Sequence, residues 1–278
     1  MKRISYFVAF ILFFNISYSQ NAMNCCVGSA TEKFASLASN KSFVDVHDDP
    51  LPFSGEQADG HAISFKTPDG KEGYGWEIIS PARSDNYLFV FHEWWGLNDY
   101  IKQEAEKLSK DLKINVIAID LYDKRMASTA EEASKLVRSV NTDRAMSIIH
   151  GAYDYVGKNA KVFTIGWCFG GAWSLQAAIE GGNQVKGCVM FYGMPEDNVD
   201  RLRKLNCDVI GFFANKDQGI TPAVVDEFLK NMQAAGKKLY VYWYDAVHAF
   251  ANPSNPNYDK AATEDAYKKL IAFIRERM

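Results

Sequence analysis

Gly166-Trp167-Cys168-Phe169-Gly170-Gly171 carries the strongest chemical signature in this 278-residue chain. It lies between an apolar run, KVFTIGW (161–167), and a helical stretch, GGAWSLQAAIE. A nucleophile on a sharp strand-to-helix turn has this form, here with cysteine in place of serine. The flanking glycines leave out side chains that would collide with strand or helix. A thiol at a helix N-terminus also meets a dipole that favours the thiolate. A tight turn around a buried structural thiol is the plainer alternative, and downstream residues weigh against it. Elbow enzymes run nucleophile, acid, histidine along the chain. Asp217 follows the apolar run DVIGFFAN, and His248 follows KLYVYWYD. Asp245 is a rival acid, but it lies only three residues before His248 and needs the loop to fold back. In the triad reading, Asp217 fixes the tautomer of His248, which takes the thiol proton of Cys168. The oxyanion then needs two backbone donors, for which Phe169 N–H and Trp94 N–H are the candidates.

Three such loops serve one reaction only if a scaffold brings their ends together. The pattern from about residue 61 supplies one. HAISFKTP and YGWEII alternate like paired strands around an Asp69-Gly70 turn. Apolar runs then alternate with helical periods. YLFVF (87–91) precedes a helix with Ile101, Ala105, Leu108 and Leu112 on one face. INVIAID (114–120) precedes a helical stretch expected over 129–157. VKGCVMFYG (185–193), DVIGFFAN (208–215), the helix TPAVVDEFLKNMQAAG, KLYVYWYD (238–245) and a last helix over 261–277 complete the pattern. Near-continuous apolar strands imply a sheet covered on both faces. The fold class is therefore α/β, with a mostly parallel central sheet and helices on both sides. In open sheets of this kind, sites form at the carboxyl ends of the strands, where all three loops begin.

Composition excludes several classes. The chain is 47% hydrophobic and 23% charged, with a net charge of −3, so neither a disordered tail nor a basic nucleic-acid binder fits. The five cysteines include no CxxC pair. His47, His61, His92 and His150 show no ligand spacing, so no metal or cofactor is expected. Residues 1–19 (MKR, then ISYFVAFILFF, then NISYS) read as a signal peptide cleaved after Ser19, too short in its apolar part to span a bilayer. An exported, periplasmic or secreted monomer without a stable membrane anchor follows. Residues 20–58 form a polar lead-in, with a capping box at Ser29-Ala-Thr-Glu32 before a short helix carrying Phe34 and Leu37. Adjacent Cys25 and Cys26 lie in it, with a disulfide or lipid role left open. Cys188 and Cys207 read as core thiols. Residues 59–278 are the catalytic domain.

GWCFGG, HEWWGLNDYI, DLYDKR, the Asn-Lys-Asp turn and HAFANPS together resemble the dienelactone hydrolase family of the α/β-hydrolase superfamily, over roughly residues 60–278. The resemblance implies the α/β-hydrolase fold and a Cys, Asp, His triad at Cys168, Asp217 and His248. It also implies that Glu93 contacts the resting cysteine and moves away when substrate binds. Family members hold a substrate carboxylate with two arginines. Here the D-L-Y motif continues as Asp123, Lys124 and Arg125, and the second position is Asn252, whose amide lacks the charged fork of arginine. Lys124, Arg125, Tyr122, Trp95 and Asn252 are the candidate substrate-facing residues. A small ester or lactone, with dienelactone itself disfavoured, is the expected substrate of a thioester-forming hydrolase. A thiol redox or peroxide-reducing protein using Cys168 is the first rival, and a non-catalytic binding protein on the same scaffold the second.

Overall fold

Strand β3 (Asn86–Phe91) is joined by parallel pairing to β4 (Asn115–Asp120) on one side and β5 (Lys161–Trp167) on the other. The computed structural model describes residues 28–45 and 47–278. The signal-peptide segment with its cleavage point, Cys25 and Cys26 all lie outside the described residues. Before β3 come α1 (Gly28–Leu37), α2 (Lys41–Asp45), β1 (His61–Lys66) and β2 (Glu72–Ile78). Then follow α3 (Asp99–Leu112), β4, α4 (Ala130–Arg138), α5 (Thr142–Val156), β5, α6 (Phe169–Glu180), β6 (Val185–Phe191), α7 (Val199–Leu202), β7 (Asp208–Ala214), α8 (Pro222–Ala234), β8 (Leu239–Tyr244) and α9 (Lys260–Arg275). The described strands form one sheet in the order β1-β2-β4-β3-β5-β6-β7-β8. Only β1–β2 and β2–β4 pair antiparallel, and β3 to β8 run parallel to one another.

Every residue of β4 is buried, as are the last six of β5, which accounts for their unbroken apolar character. Helix α3 places Ile101, Ala105, Leu108 and Leu112 against the sheet. Each large side chain so buried contributes about 1.5–3 kcal/mol. No helix among the described residues is long and apolar enough to cross a membrane.

Three local expectations change. The helical stretch over 129–157 is two helices, because Asn141 leaves α-geometry and caps α5, its Oδ1 accepting from Arg144 N–H at 2.8 Å. Helix α1 already includes Gly28 and Ser29, so Ser29 lies inside it and is not its cap. Residues 28–58 also do more than lead in. Ala30, Phe34, Ala38 and Phe43 are buried in the same core as the sheet, and Phe34 packs edge-on against Phe169 at 5.8 Å.

The turn from β5 into α6 is tight. Cys168 adopts φ 55° and ψ −116°, a conformation that costs a side-chain-bearing residue about 1–3 kcal/mol. A Cβ on Gly166 would lie 2.0 Å from the carbonyl oxygen of Gly170, and one on Gly170 would lie 2.2 Å from that of Phe91. Both glycines are therefore fixed by close approach of backbone to backbone.

Candidate active site

The loops that leave β5, β7 and β8 bring Cys168, Asp217 and His248 together. His248 Nδ1 donates to Asp217 Oδ2 at 2.6 Å, and His248 Nε2 lies 3.2 Å from Cys168 Sγ. The other Asp217 oxygen accepts from the backbone N–H groups of Gly219 at 2.8 Å and Ile220 at 2.9 Å. Asp245 is elsewhere: it is exposed and pairs with Lys216 at 2.9 Å. All three grouped side chains are buried.

Burial alone would raise the Asp217 pKa, but the charge of His248 and the hydrogen bonds outweigh it and hold Asp217 below the usual carboxylate range. Burial would likewise lower His248, yet the facing Asp217 and Cys168 drive it well above the ordinary histidine value. The Cys168 thiol is pushed up by burial, which its hydrogen bond to His248 and the backbone N–H of Phe169 offset only in part. The structure thus pairs a strong base with a thiol kept out of water.

Glu93, from the loop after β3, stands in the same buried cluster. Its carboxylate accepts from Asn252 Nδ2 and from the Tyr192 hydroxyl at 3.4 Å, and no hydrogen bond to Sγ is formed. Burial pushes its pKa up to about 7. Asn252 is fully engaged, since its Oδ1 also accepts from Ser254 N–H at 2.8 Å and from Ser254 Oγ at 2.7 Å. Trp94 and Trp95 line the cavity beside Cys168 with Glu93 and Asn252. His92 is a positioning residue: its Nδ1 donates to Glu93 O at 2.6 Å and its Nε2 accepts from Leu121 N–H at 3.2 Å. Tyr122 is buried and donates to the Trp94 carbonyl at 3.2 Å, so it supports the loop and does not face the cavity.

Lys124 and Arg125 are not brought to the cysteine. They line a separate cavity between β1, β2 and the turn after β4. Lys124 Nζ sits 3.7 Å over the Tyr74 ring, and Arg125 Nε donates to Tyr122 O at 3.0 Å. The turn is responsible: Asp120 accepts from Tyr122 N–H at 2.8 Å and Lys124 N–H at 2.5 Å, with Asp123 and Lys124 at φ 50° and 69°. That geometry carries both cations away from the elbow.

Two contributors were not read from the sequence. Tyr192 follows β6, and its ring lies 5.0 Å from that of His248. Its place at a strand's carboxyl end was an available signal. His47, just beyond α2, lies 5.1 Å from the His248 ring and 4.4 Å from Trp94, while Phe43 packs on His248 at 5.5 Å. No sequence spacing announces either contact. Together they close the site, leaving beside Sγ a void of about 10 Å³, near the roughly 10–15 Å³ one water needs.

The Glu93 carboxyl generates a test of stability. In the folded chain it keeps its proton to about pH 7, against an ordinary value of 4.5. The native state therefore binds more protons than the unfolded state between these values, and stability falls as pH rises through that window. The loss amounts to about 3 kcal/mol. Denaturant unfolding of wild type and Glu93→Gln at pH 5 and pH 8 should show a change that is more unfavourable in wild type by about 2–3 kcal/mol, a difference in which the opposing contributions of His47 and His248, present in both chains, cancel. An equal change in both would contradict the assignment.

Residues 78–278 match the model of the dienelactone hydrolase family. The carboxymethylenebutenolidase of a Pseudomonas species is 31% identical over 224 residues, covering 74% of this chain and 92% of that protein. Carboxymethylenebutenolidase 1 of Cupriavidus pinatubonensis is 24% identical over 202 residues, covering 67% of this chain and 84% of that one. Among solved structures, a dienelactone hydrolase-like promiscuous phosphotriesterase from metagenomic libraries superposes with a TM-score of 0.67 at 22% identity, covering 78% of this chain and 98% of the other. The described fold and the matched span agree, and the chain belongs to the dienelactone hydrolase family, hydrolases that act on ester or lactone bonds.

Proposed function

We propose that this chain hydrolyses small, uncharged carboxylic esters or lactones through Cys168, His248 and Asp217. The observation that carries this is the unbroken series Asp217 Oδ2, His248 Nδ1, His248 Nε2 and Cys168 Sγ, spaced at 2.6 and 3.2 Å. The thiol proton passes to His248 Nε2 as Sγ bonds to the acyl carbon. The carbonyl oxygen becomes an oxyanion, received by the backbone N–H groups of Phe169 and Trp94. Collapse breaks the ester C–O bond, and the leaving oxygen takes the proton from His248. A water then attacks the thioester, giving its proton to His248, and the acid and the free thiol are released. Asp217 stays ionised and steadies the imidazolium. Glu93 faces this cavity as a second acid, held by Asn252.

A void for one water admits no acyl group, so turnover requires the segment around Phe43 and His47 to swing off the cysteine. Neutral substrates are favoured because Asp48, Glu93 and polar or aromatic residues line the cavity, with no Lys or Arg among its described lining. We further propose that the enzyme acts after export, a reading that rests on the sequence of residues 1–19.

Three measurements test this. Cys168→Ala should abolish ester turnover and the acyl adduct found on Cys168 by mass spectrometry. His248→Ala should lower kcat by several orders of magnitude, as members of a triad act as a unit. Asp245→Asn should be silent where Asp217→Asn is not. Full activity in Cys168→Ala would end the proposal.

On matched neutral and carboxylated lactones, wild type should prefer the neutral one in kcat/KM by about tenfold or more. That is the scale of one missing hydrogen bond to a charge, about 1.5–3 kcal/mol. Lys124→Ala and Arg125→Ala should leave the ratio unchanged. A preference for the carboxylated lactone that either variant removes would return those cations to the substrate.

N-terminal sequencing of the exported chain should begin at Gln20, within a few residues. A full-length chain recovered only from cytosol would contradict export.

A further inference from the structure

His47 is the buried titratable group that the proposed hydrolysis leaves without a task. Its Nδ1 lies 2.6 Å from the carbonyl oxygen of Phe43 and must therefore donate. That fixes the tautomer and leaves a lone pair on Nε2. Nε2 is buried and has no hydrogen-bond partner among the described residues. Burial, then the neighbouring charge of His248, pushes the His47 pKa down to about 3, so the ring is neutral at ordinary pH. A buried acceptor without a donor is unfavourable by about 1–3 kcal/mol. Its surroundings are informative: His47, Cys168 and His248 each place a ligand-type atom within 4.8 Å of the others.

We propose that Nε2 of His47, Sγ of Cys168 and Nε2 of His248 form a binding site for a zinc-type divalent cation, joining the N-terminal segment to the catalytic cysteine. Zinc takes Cys and His ligands at about 2.3 and 2.0–2.1 Å, which puts tetrahedral ligand atoms about 3.3–3.6 Å apart. Cys168 and His248 are already 3.2 Å apart and the His47 atom lies within 4.8 Å of both, so the site closes with side-chain shifts of up to about 1.5 Å at His47. A thiolate with two imidazoles selects zinc over magnesium or calcium, which take oxygen.

The outer partners agree. Each histidine donates its Nδ1–H, to Phe43 O and to Asp217 Oδ2, both at 2.6 Å. Metal-bound histidines are held in this way, with the second nitrogen on a carbonyl or carboxylate. His47 and Cys168 both border the small void beside Sγ, which has room for one water as a further ligand. The Cys168–His248 pair carries one proton between Sγ and Nε2, and the cation displaces it to solvent as the metal–sulfur bond forms. The bound ion then occupies both the nucleophile's and the base's lone pairs and ties residue 47 to the elbow. Inhibition of hydrolysis follows only if the proposed function is right, whereas binding of the ion does not depend on it.

The test is zinc binding by the full, tag-free chain, measured by competition with a chromophoric chelator. Cobalt substitution provides a second readout. Wild type should bind one zinc per chain, and its cobalt form should show a thiolate charge-transfer band with intense tetrahedral d–d bands. Losing an outer partner commonly weakens a site by about 10–100-fold, so losing a ligand in His47→Gln or Cys168→Ser should weaken it by about a hundredfold or more. His61→Gln, at an exposed histidine on β1, should bind as wild type does. Tight binding that survives in His47→Gln overturns the proposal, as does a cobalt form of wild type without the thiolate band. Zinc bound as expected by a chain that hydrolyses no ester even after a chelator has removed the ion would refute the hydrolase reading and leave this one standing.

Discussion

The backbone contact between Gly166 and Gly170 is the constraint on which the rest of the site depends. It lets β5 turn into α6 within one residue and holds Cys168 at a positive φ that its side chain disfavours. Because Gly170 also touches the carbonyl of Phe91, the same contact fixes where β3 ends and where the Glu93–Trp94 loop begins. A methyl group at either glycine would collide with backbone, at Gly170 or at Phe91, and displace Cys168 from the end of β3. The strain is sustained by central strands that are buried along almost their whole length.

Around that turn, burial sets the electrostatics. The same desolvation that raises the Cys168 thiol and the Glu93 carboxyl lowers His47. Two charges are stabilised against this trend, those of Asp217 and His248. Asp217 remains an anion because His248 and two backbone N–H groups face it, and through Asp217 the imidazole becomes a strong base. The closed site therefore keeps a strongly basic imidazole beside a thiol whose protonated form burial favours. Moving the cover away would rehydrate the sulfur and remove the desolvation that chiefly opposes the thiolate.

The sheet and the Cys168, Asp217, His248 grouping were legible in the sequence because each rests on a local signal. Apolar runs mark the strands, and a strand's carboxyl end marks the loop that carries each residue. The split at Asn141 was also legible in principle, as Asn is a strong N-cap residue, but the apolar period runs through it. The path of Lys124 and Arg125 was not, since an Asp120 turn with two positive-φ residues reverses the chain just past a motif that reads as a straight continuation. His47 was hidden for a different reason. It meets Cys168 and His248 across more than a hundred residues, from a polar stretch with no period to follow.

That polar stretch is held down by apolar anchors, and their strength bounds how the site can work. Phe43 meets His248 and Trp94 at 5.5 and 6.0 Å, and His47 meets Trp94 at 4.4 Å. Aromatic pairs contribute about 0.5–1.5 kcal/mol each beyond their buried area. Against this stand the unpartnered nitrogens of His47 and Trp94, each unfavourable by about 1–3 kcal/mol while the cover is shut. These offset only part of what holds the cover, because burial of Phe34 and Phe43 adds about 1.5–3 kcal/mol for each ring. On the proposed function, a substrate displaces the cover only by burying comparable apolar surface against Trp94 and Trp95. Anything that satisfies the His47 nitrogen tips the balance the other way. On the proposed function, the covering segment therefore competes with substrate for the walls of the cavity, while the tautomer imposed on His47 by Phe43 leaves Nε2 as the acceptor that any further ligand would meet.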